Sequence, residues 1–94
     1  GLAFKPDIDD LRESPSLEIT AHIAQSHPGT VLAIEPNIAH LPARLEGIAT
    51  LSGIDQALSS AHVIVLLVDH SVFKKIPGAR LSSLKVIDTR GVWA

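Results

Sequence analysis

Three polar clusters hold the residues of this chain that could do chemistry. The first, Lys5, Asp7, Asp9, Asp10, Arg12 and Glu13, follows the apolar start Gly1-Leu2-Ala3-Phe4 and closes at Ser14-Pro15. The second is Asp69-His70, and the third is Asp88-Thr89-Arg90. Two cations ahead of a helix start suit an anion, because the first N–H groups of a helix are unpaired and its dipole is positive there. Lys5 is a flexible point charge for a phosphate or a sugar oxygen, whereas Arg12 offers a planar fork for two oxygens at once. Arg12 can equally pair with Asp9, Asp10 or Glu13 and do no more than stiffen the loop. Asp7 and Glu13 read as ordinary loop acids. Arg90, held by Asp88, can be aimed at a phosphate or carboxylate; the alternative is an exposed Asp88–Arg90 ion pair, worth little.

Asp69 and His70 cannot form a dyad with each other, since neighbours on an extended strand point to opposite sides. The structural reading is that Asp69 or Ser71 caps the following turn and His70 closes the strand through a hydrogen bond. The other histidines, His22, His27, His40 and His62, lack ligand-like spacing, and there is no cysteine, so no metal site is expected. No serine lies in a nucleophile-elbow context and no G-x-G-x-x-G is present. No residue here is expected to be catalytic.

These clusters need elements to place them. Ser14 can cap a helix with Pro15 at its first position, and the stretch to His27 is free of breakers until Pro28-Gly29. Leu17, Ala21 and Ala24 share one face of that helix while Ile19 and Ile23 lie almost opposite, so it has two surfaces to cover. TVLAIEP reads as a buried strand, and a small strand is expected around Ile48 to Leu51. Ser52 is expected to cap a helix over Ile54 to Ser60. HVIVLLVD, residues 62 to 69, is apolar at consecutive positions and predicts a strand buried on both faces. A short helix from Ser71 to Ile76 and a last strand in KVIDTRG complete the pattern. Strands alternating with helices predict an α/β fold, a three-layer Rossmann-like domain with a mainly parallel sheet. In such sheets ligands sit beyond the carboxyl ends of the strands, where all three clusters fall. The tips of the opening and last strands are expected side by side, bringing Lys5 and Arg90 together.

Ninety-four residues make one domain, residues 1–94, and 46% hydrophobic content supplies its core, with Phe4, Phe73 and Trp93 as the aromatics. A net charge of −2 provides no long-range field to recruit nucleic acid or an anionic membrane. The absence of cysteine, of a membrane-length apolar run and of a signal-peptide pattern leaves a cytoplasmic protein as the expectation. Gly1 to Phe4 reads like the tail of a strand, and the chain has no Met, which together suggest a piece of a longer polypeptide.

Taken in order, GLAFKPDIDDLRESP, VLAIEPN, VIVLLVDHSVFK and VIDTRGVW resemble the C-terminal domain of the UDP-glucose/GDP-mannose dehydrogenase family over essentially the whole chain. The resemblance implies an N-terminal domain for NAD and a central helical domain in the same polypeptide, with a homodimer as the assembly. It further implies oxidation of a UDP-sugar C6 alcohol to a carboxylate in two steps, with two NAD and a cysteine thioester outside these residues. By the same resemblance Phe4, Lys5 and Arg90 bind the UDP-sugar and Arg12 reaches towards NAD, while the domain alone is inactive. A free-standing nucleotide-binding module and a purely structural lobe are the competing expectations.

Overall fold

The computed structural model describes residues 1–93. Its first regular element is helix α1, Pro15–Ser26, which starts where local chemistry dictates. Ser14 keeps an extended backbone, its hydroxyl accepts the Leu17 N–H, and Pro15 occupies the first turn, where a missing N–H costs nothing. The same hydroxyl donates to the Leu2 carbonyl at 2.7 Å, so the cap also ties the start of the chain to the helix. Ala21 and Ala24 are buried with Ser16 and Thr20, and Thr20 satisfies its hydroxyl on the Ser16 carbonyl. Ile19 and Ile23 on the opposite side remain 45% and 37% exposed, so the second apolar face is uncovered.

Strand β1, Leu32–Ala33, pairs in parallel with β2, Thr50–Leu51. After helix α2, Ile54–Ser60, strand β3, Val63–Leu66, pairs in parallel with β4, Lys85–Asp88, and the short helix α3, Ser71–Lys74, lies between them in sequence. Among the described residues every strand pair is parallel and helices alternate with strands, the α/β, Rossmann-like class expected. The ladders there are two separate pairs, β1-β2 and β3-β4.

Residues 1 to 3 stand between them. The Leu2 and Ala3 N–H groups bond to the side chain of Glu35, just past β1, while Gly1 packs so closely on Val68, just past β3, that a Cβ there would collide with it. Gly1 to Phe4 is therefore not a strand, because the Leu2 and Ala3 N–H groups go to a carboxylate and that of Phe4 goes to the Asp10 carbonyl within its own loop, not to a neighbouring strand.

Two other expectations change. β3 is not covered on both faces: Val63 is 49% exposed and burial deepens only towards Leu66, Leu67 and Val68. Ile87, paired with Val65 and so on the same face as Val63, is also exposed. Helix α2 is capped at Gly53 without a side-chain bond, since the Ser52 hydroxyl turns to the Gly53 carbonyl instead.

The core centres on Leu2, Ala21, Ala33 and Leu45, with Leu11, Leu17, Ile38, Leu41, Ile48 and Ala49 packed around it. Leu2 and Leu45 are fully buried, each worth roughly 1.5–3 kcal/mol in removed apolar surface. Leu2 thus anchors the opening segment from inside, two residues before the loop that starts at Phe4. No helix among the described residues is long and apolar enough to cross a membrane.

Candidate functional site

The exits of β1 and β3 converge on a buried acid–base couple. Glu35 is 3% exposed, and Pro36 after it turns the chain away from the strand. One carboxylate oxygen accepts the N–H groups of Leu2 at 2.8 Å and Ala3 at 3.1 Å and meets His70 Nε2 at 2.7 Å. The other accepts the Asn37 main-chain and side-chain N–H groups, both at 3.1 Å. Burial works against ionisation here, but these hydrogen bonds outweigh it and hold the Glu35 carboxyl below the ordinary glutamate value.

His70 is wholly buried, with the Phe73 ring edge-on at 5.3 Å. Its Nδ1 accepts the Asp7 N–H at 2.8 Å, with the Asn37 amide nitrogen 3.4 Å away. A nitrogen that accepts a backbone N–H carries no proton, so the proton resides on Nε2 and is donated to Glu35. Both partners are closed to solvent and to any ligand. The couple organises structure, as expected for His70, and besides Asn37 its partners are main-chain groups far away in sequence.

Asp7 is no ordinary loop acid. It adopts a left-handed backbone, φ 62°, which an aspartate tolerates better than most residues. Its carboxylate accepts the Ser71 hydroxyl at 2.5 Å and the Ser71 N–H at 2.8 Å, capping α3 from across the molecule. The Ser71 hydroxyl, then its N–H, lowers the Asp7 pKa.

Held at residues 2, 3 and 7, the chain displays Phe4 and Lys5 between those anchors. Phe4 donates its N–H to the Asp10 carbonyl at 2.9 Å, closing the loop, and its ring is 46% exposed. Lys5 is exposed. Arg12 grips Asp10 through Nε at 3.1 Å and one terminal nitrogen at 3.0 Å. That pairing brings the Asp10 carboxyl down to about 2, chiefly through the Arg12 side-chain bonds. Phe4, Asp10, Arg12 and Glu13 line an open hollow beside the loop.

The third cluster folds around one carboxylate. Asp88 accepts the N–H groups of Arg90 at 3.0 Å, Gly91 at 2.8 Å and Trp93 at 2.7 Å. Gly91, at φ 70°, supplies the positive backbone angle this turn requires. Burial opposes the charge on Asp88 and the donated N–H groups of Trp93, Arg90 and Gly91 more than compensate, lowering its pKa. Asp88 thus holds the Arg90 main chain and not its guanidinium. Arg90 Nε instead donates to the Leu67 carbonyl at 2.9 Å, fixing the head of an exposed arginine at the exit of β3. Trp93 donates its indole N–H to the Phe73 carbonyl at 2.8 Å, tying the end of this loop to α3.

The opening loop and the last loop therefore both lean on the exit of β3, the first through His70 and Ser71, the second through Leu67. They do not lie side by side as adjacent strand tips, because β3 stands between the opening segment and β4. Glu35, the hub of the first group, was not singled out from the sequence. Its signal was a lone carboxylate inside the apolar run TVLAIEP, where a buried charge must find donors.

The strand-exit architecture belongs to a known class. Residues 1–94 match the UDP-glucose/GDP-mannose dehydrogenase family, UDP binding domain, and the chain is a member of that family. Among its relatives, UDP-N-acetyl-D-mannosamine dehydrogenases from Salmonella typhi and Escherichia coli are 55% and 56% identical over 93 residues, 99% of this chain. An NDP-N-acetyl-D-galactosaminuronic acid dehydrogenase from Ralstonia solanacearum is 54% identical over 94 residues, the whole chain. The chain spans 22% of the length of each of these proteins.

Proposed function

We propose that this chain is the UDP-sugar-holding lobe of an NAD-dependent dehydrogenase that oxidises the C6 alcohol of UDP-N-acetyl-D-mannosamine to the uronic acid. Lys5 and Arg90 meet the nucleotide sugar, Phe4 supports it through its backbone, and Arg12 faces the dinucleotide across a cleft. The observation that carries this reading is Arg90: its head is pinned by Nε to the Leu67 carbonyl, in a chain belonging to a UDP-binding family. A guanidinium immobilised at a strand exit offers its remaining nitrogens to phosphate oxygens with little further ordering cost.

NAD fits these residues poorly as a complete site. They contain no glycine-rich turn to cradle its pyrophosphate, and two nitrogens of the Arg12 guanidinium are engaged by Asp10. NAD and the catalytic cysteine belong to the NAD-binding and central domains of the parent chain, which acts in the cytoplasm as a homodimer.

In the parent enzyme, Lys5→Ala and Arg90→Ala raise the KM for the UDP-sugar at least tenfold, and Arg12→Ala raises the KM for NAD. Unchanged kinetics in all three variants would refute the assignment. A second substrate is favoured by a specific observation, the 54% identity to a dehydrogenase named for N-acetylgalactosaminuronic acid. Assaying UDP-N-acetylmannosamine, UDP-N-acetylgalactosamine and UDP-glucose side by side separates these readings by kcat/KM.

A further inference from the structure

We propose that His70, backed by Glu35, is a positioning residue for Lys5. The buried couple grips the main chain on both sides of the Phe4-Lys5 pair and so sets where the Lys5 ammonium meets a nucleotide sugar. The inference rests on the reading above that Lys5 contacts that ligand.

Its ground is where the hydrogen bonds go. Glu35 takes the N–H groups of Leu2 and Ala3, and His70 takes that of Asp7. All three belong to the opening segment, and they bracket residues 4 and 5. Apolar residues of similar volume could replace a buried polar couple with little loss of stability from packing, but they would leave these N–H groups without acceptors. What the couple supplies beyond packing is therefore a fixed path for one stretch of backbone. The tie at residue 7 is doubled from outside, because the Asp7 carboxylate holds Ser71, the residue after His70. A lysine on a slack loop loses conformational freedom when it binds, whereas a lysine whose flanking backbone is already fixed loses less.

The experiment separates the two nitrogens of His70 in the full-length enzyme. An asparagine carbonyl can stand where Nδ1 accepts the Asp7 N–H, and a glutamine amide can stand where Nε2 donates to Glu35. His70→Gln, which keeps Glu35 and frees Asp7, is expected to raise the KM for UDP-N-acetyl-D-mannosamine about tenfold with kcat within twofold. His70→Asn, which keeps the Asp7 tie, recovers most of that loss. Asp7→Gly retains the N–H and the left-handed backbone but drops the carboxylate, and raises the KM severalfold from an exposed position that leaves folding intact. In a Lys5→Ala background neither His70→Gln nor Asp7→Gly adds a further KM effect, because the side chain they position is gone.

If Lys5→Ala alone leaves the KM unchanged, the Lys5 assignment falls, and this inference with it. If Lys5→Ala raises the KM while Asp7→Gly and His70→Gln do not, the assignment stands and the positioning role is overturned. Equal KM effects with and without Lys5 also overturn it, since they mark a general structural role. Should His70→Gln fail to fold, His70→Leu, which removes the acceptor for the Asp7 N–H, decides the matter: a KM rise seen only when Lys5 is present supports the positioning role, and no rise, or an equal rise with and without Lys5, overturns it.

Discussion

The loop over residues 4 to 14 and the loop over residues 88 to 93 both lean on the exit of β3, and they are organised in opposite ways. The last loop takes its turn from within and only its side chains reach back to Leu67 and Phe73: Asp88 collects N–H groups from Arg90, Gly91 and Trp93, none more than five residues away. The opening loop is held from outside, by Glu35 thirty-three residues from Leu2 and by His70 sixty-three residues from Asp7. A local carboxylate shapes a turn whatever surrounds it, whereas a remote buried couple shapes a loop only once the domain has closed. Stability should therefore be invested unequally in the two loops.

The largest break comes from Glu35→Ala, which leaves His70 and the N–H groups of Leu2 and Ala3 buried without an acceptor. It is expected to cost several kcal/mol in urea denaturation of this chain, at roughly 1–3 kcal/mol for each stranded donor. A loss no greater than that of Asp88→Ala would erase the contrast. Next is acid. The Glu35 carboxyl sits lower in the folded chain than in the unfolded one, so its contribution is complete above the ordinary value of 4.5 and fades as pH falls through the folded value. Glu35→Gln should flatten the decline in stability below that pH, measured by denaturation at a series of acidic pH values. Asp88→Ala should have a smaller, confined effect: hydrogen-exchange protection disappears at the Arg90, Gly91 and Trp93 amides while the Leu2 and Ala3 amides keep theirs. Loss of protection in both places would show the loops to be one cooperative unit. The smallest effect is that of Arg12→Ala, whose side chain is 88% exposed in its pair with Asp10. Melting should not change, and NMR titration should find Asp10 risen from about 2 towards 3.8.

What the sequence revealed follows the same division. Helix α1 was legible because Ser14 and Pro15 act within one turn of it, and the parallel strands because their apolar runs are contiguous. Lys5, Arg12 and Arg90 stood out as cations beside strand exits, and the pairing of Arg12 with Asp10 was one of the foreseen alternatives. Glu35 was not legible as a hub, since its partners Leu2, Ala3 and His70 are brought to it only by the fold. Nor did spacing reveal that β3 separates the opening segment from β4, because the order of strands across a sheet is a property of packing. Asp7 was misjudged for the same reason, its Ser71 partner being distant along the chain.

The seating of residues 1 to 3 between the two ladders bears on the order in which the chain assembles. Each ladder joins strands that are close in sequence and can zip early, at modest loop-closure cost. The latch of residues 1 to 7 needs both halves in place before Glu35 and His70 can receive it. Refolding should then end with that latch snapping shut, so that the surface bearing Phe4 and Lys5 is the last part of the molecule to take its final shape.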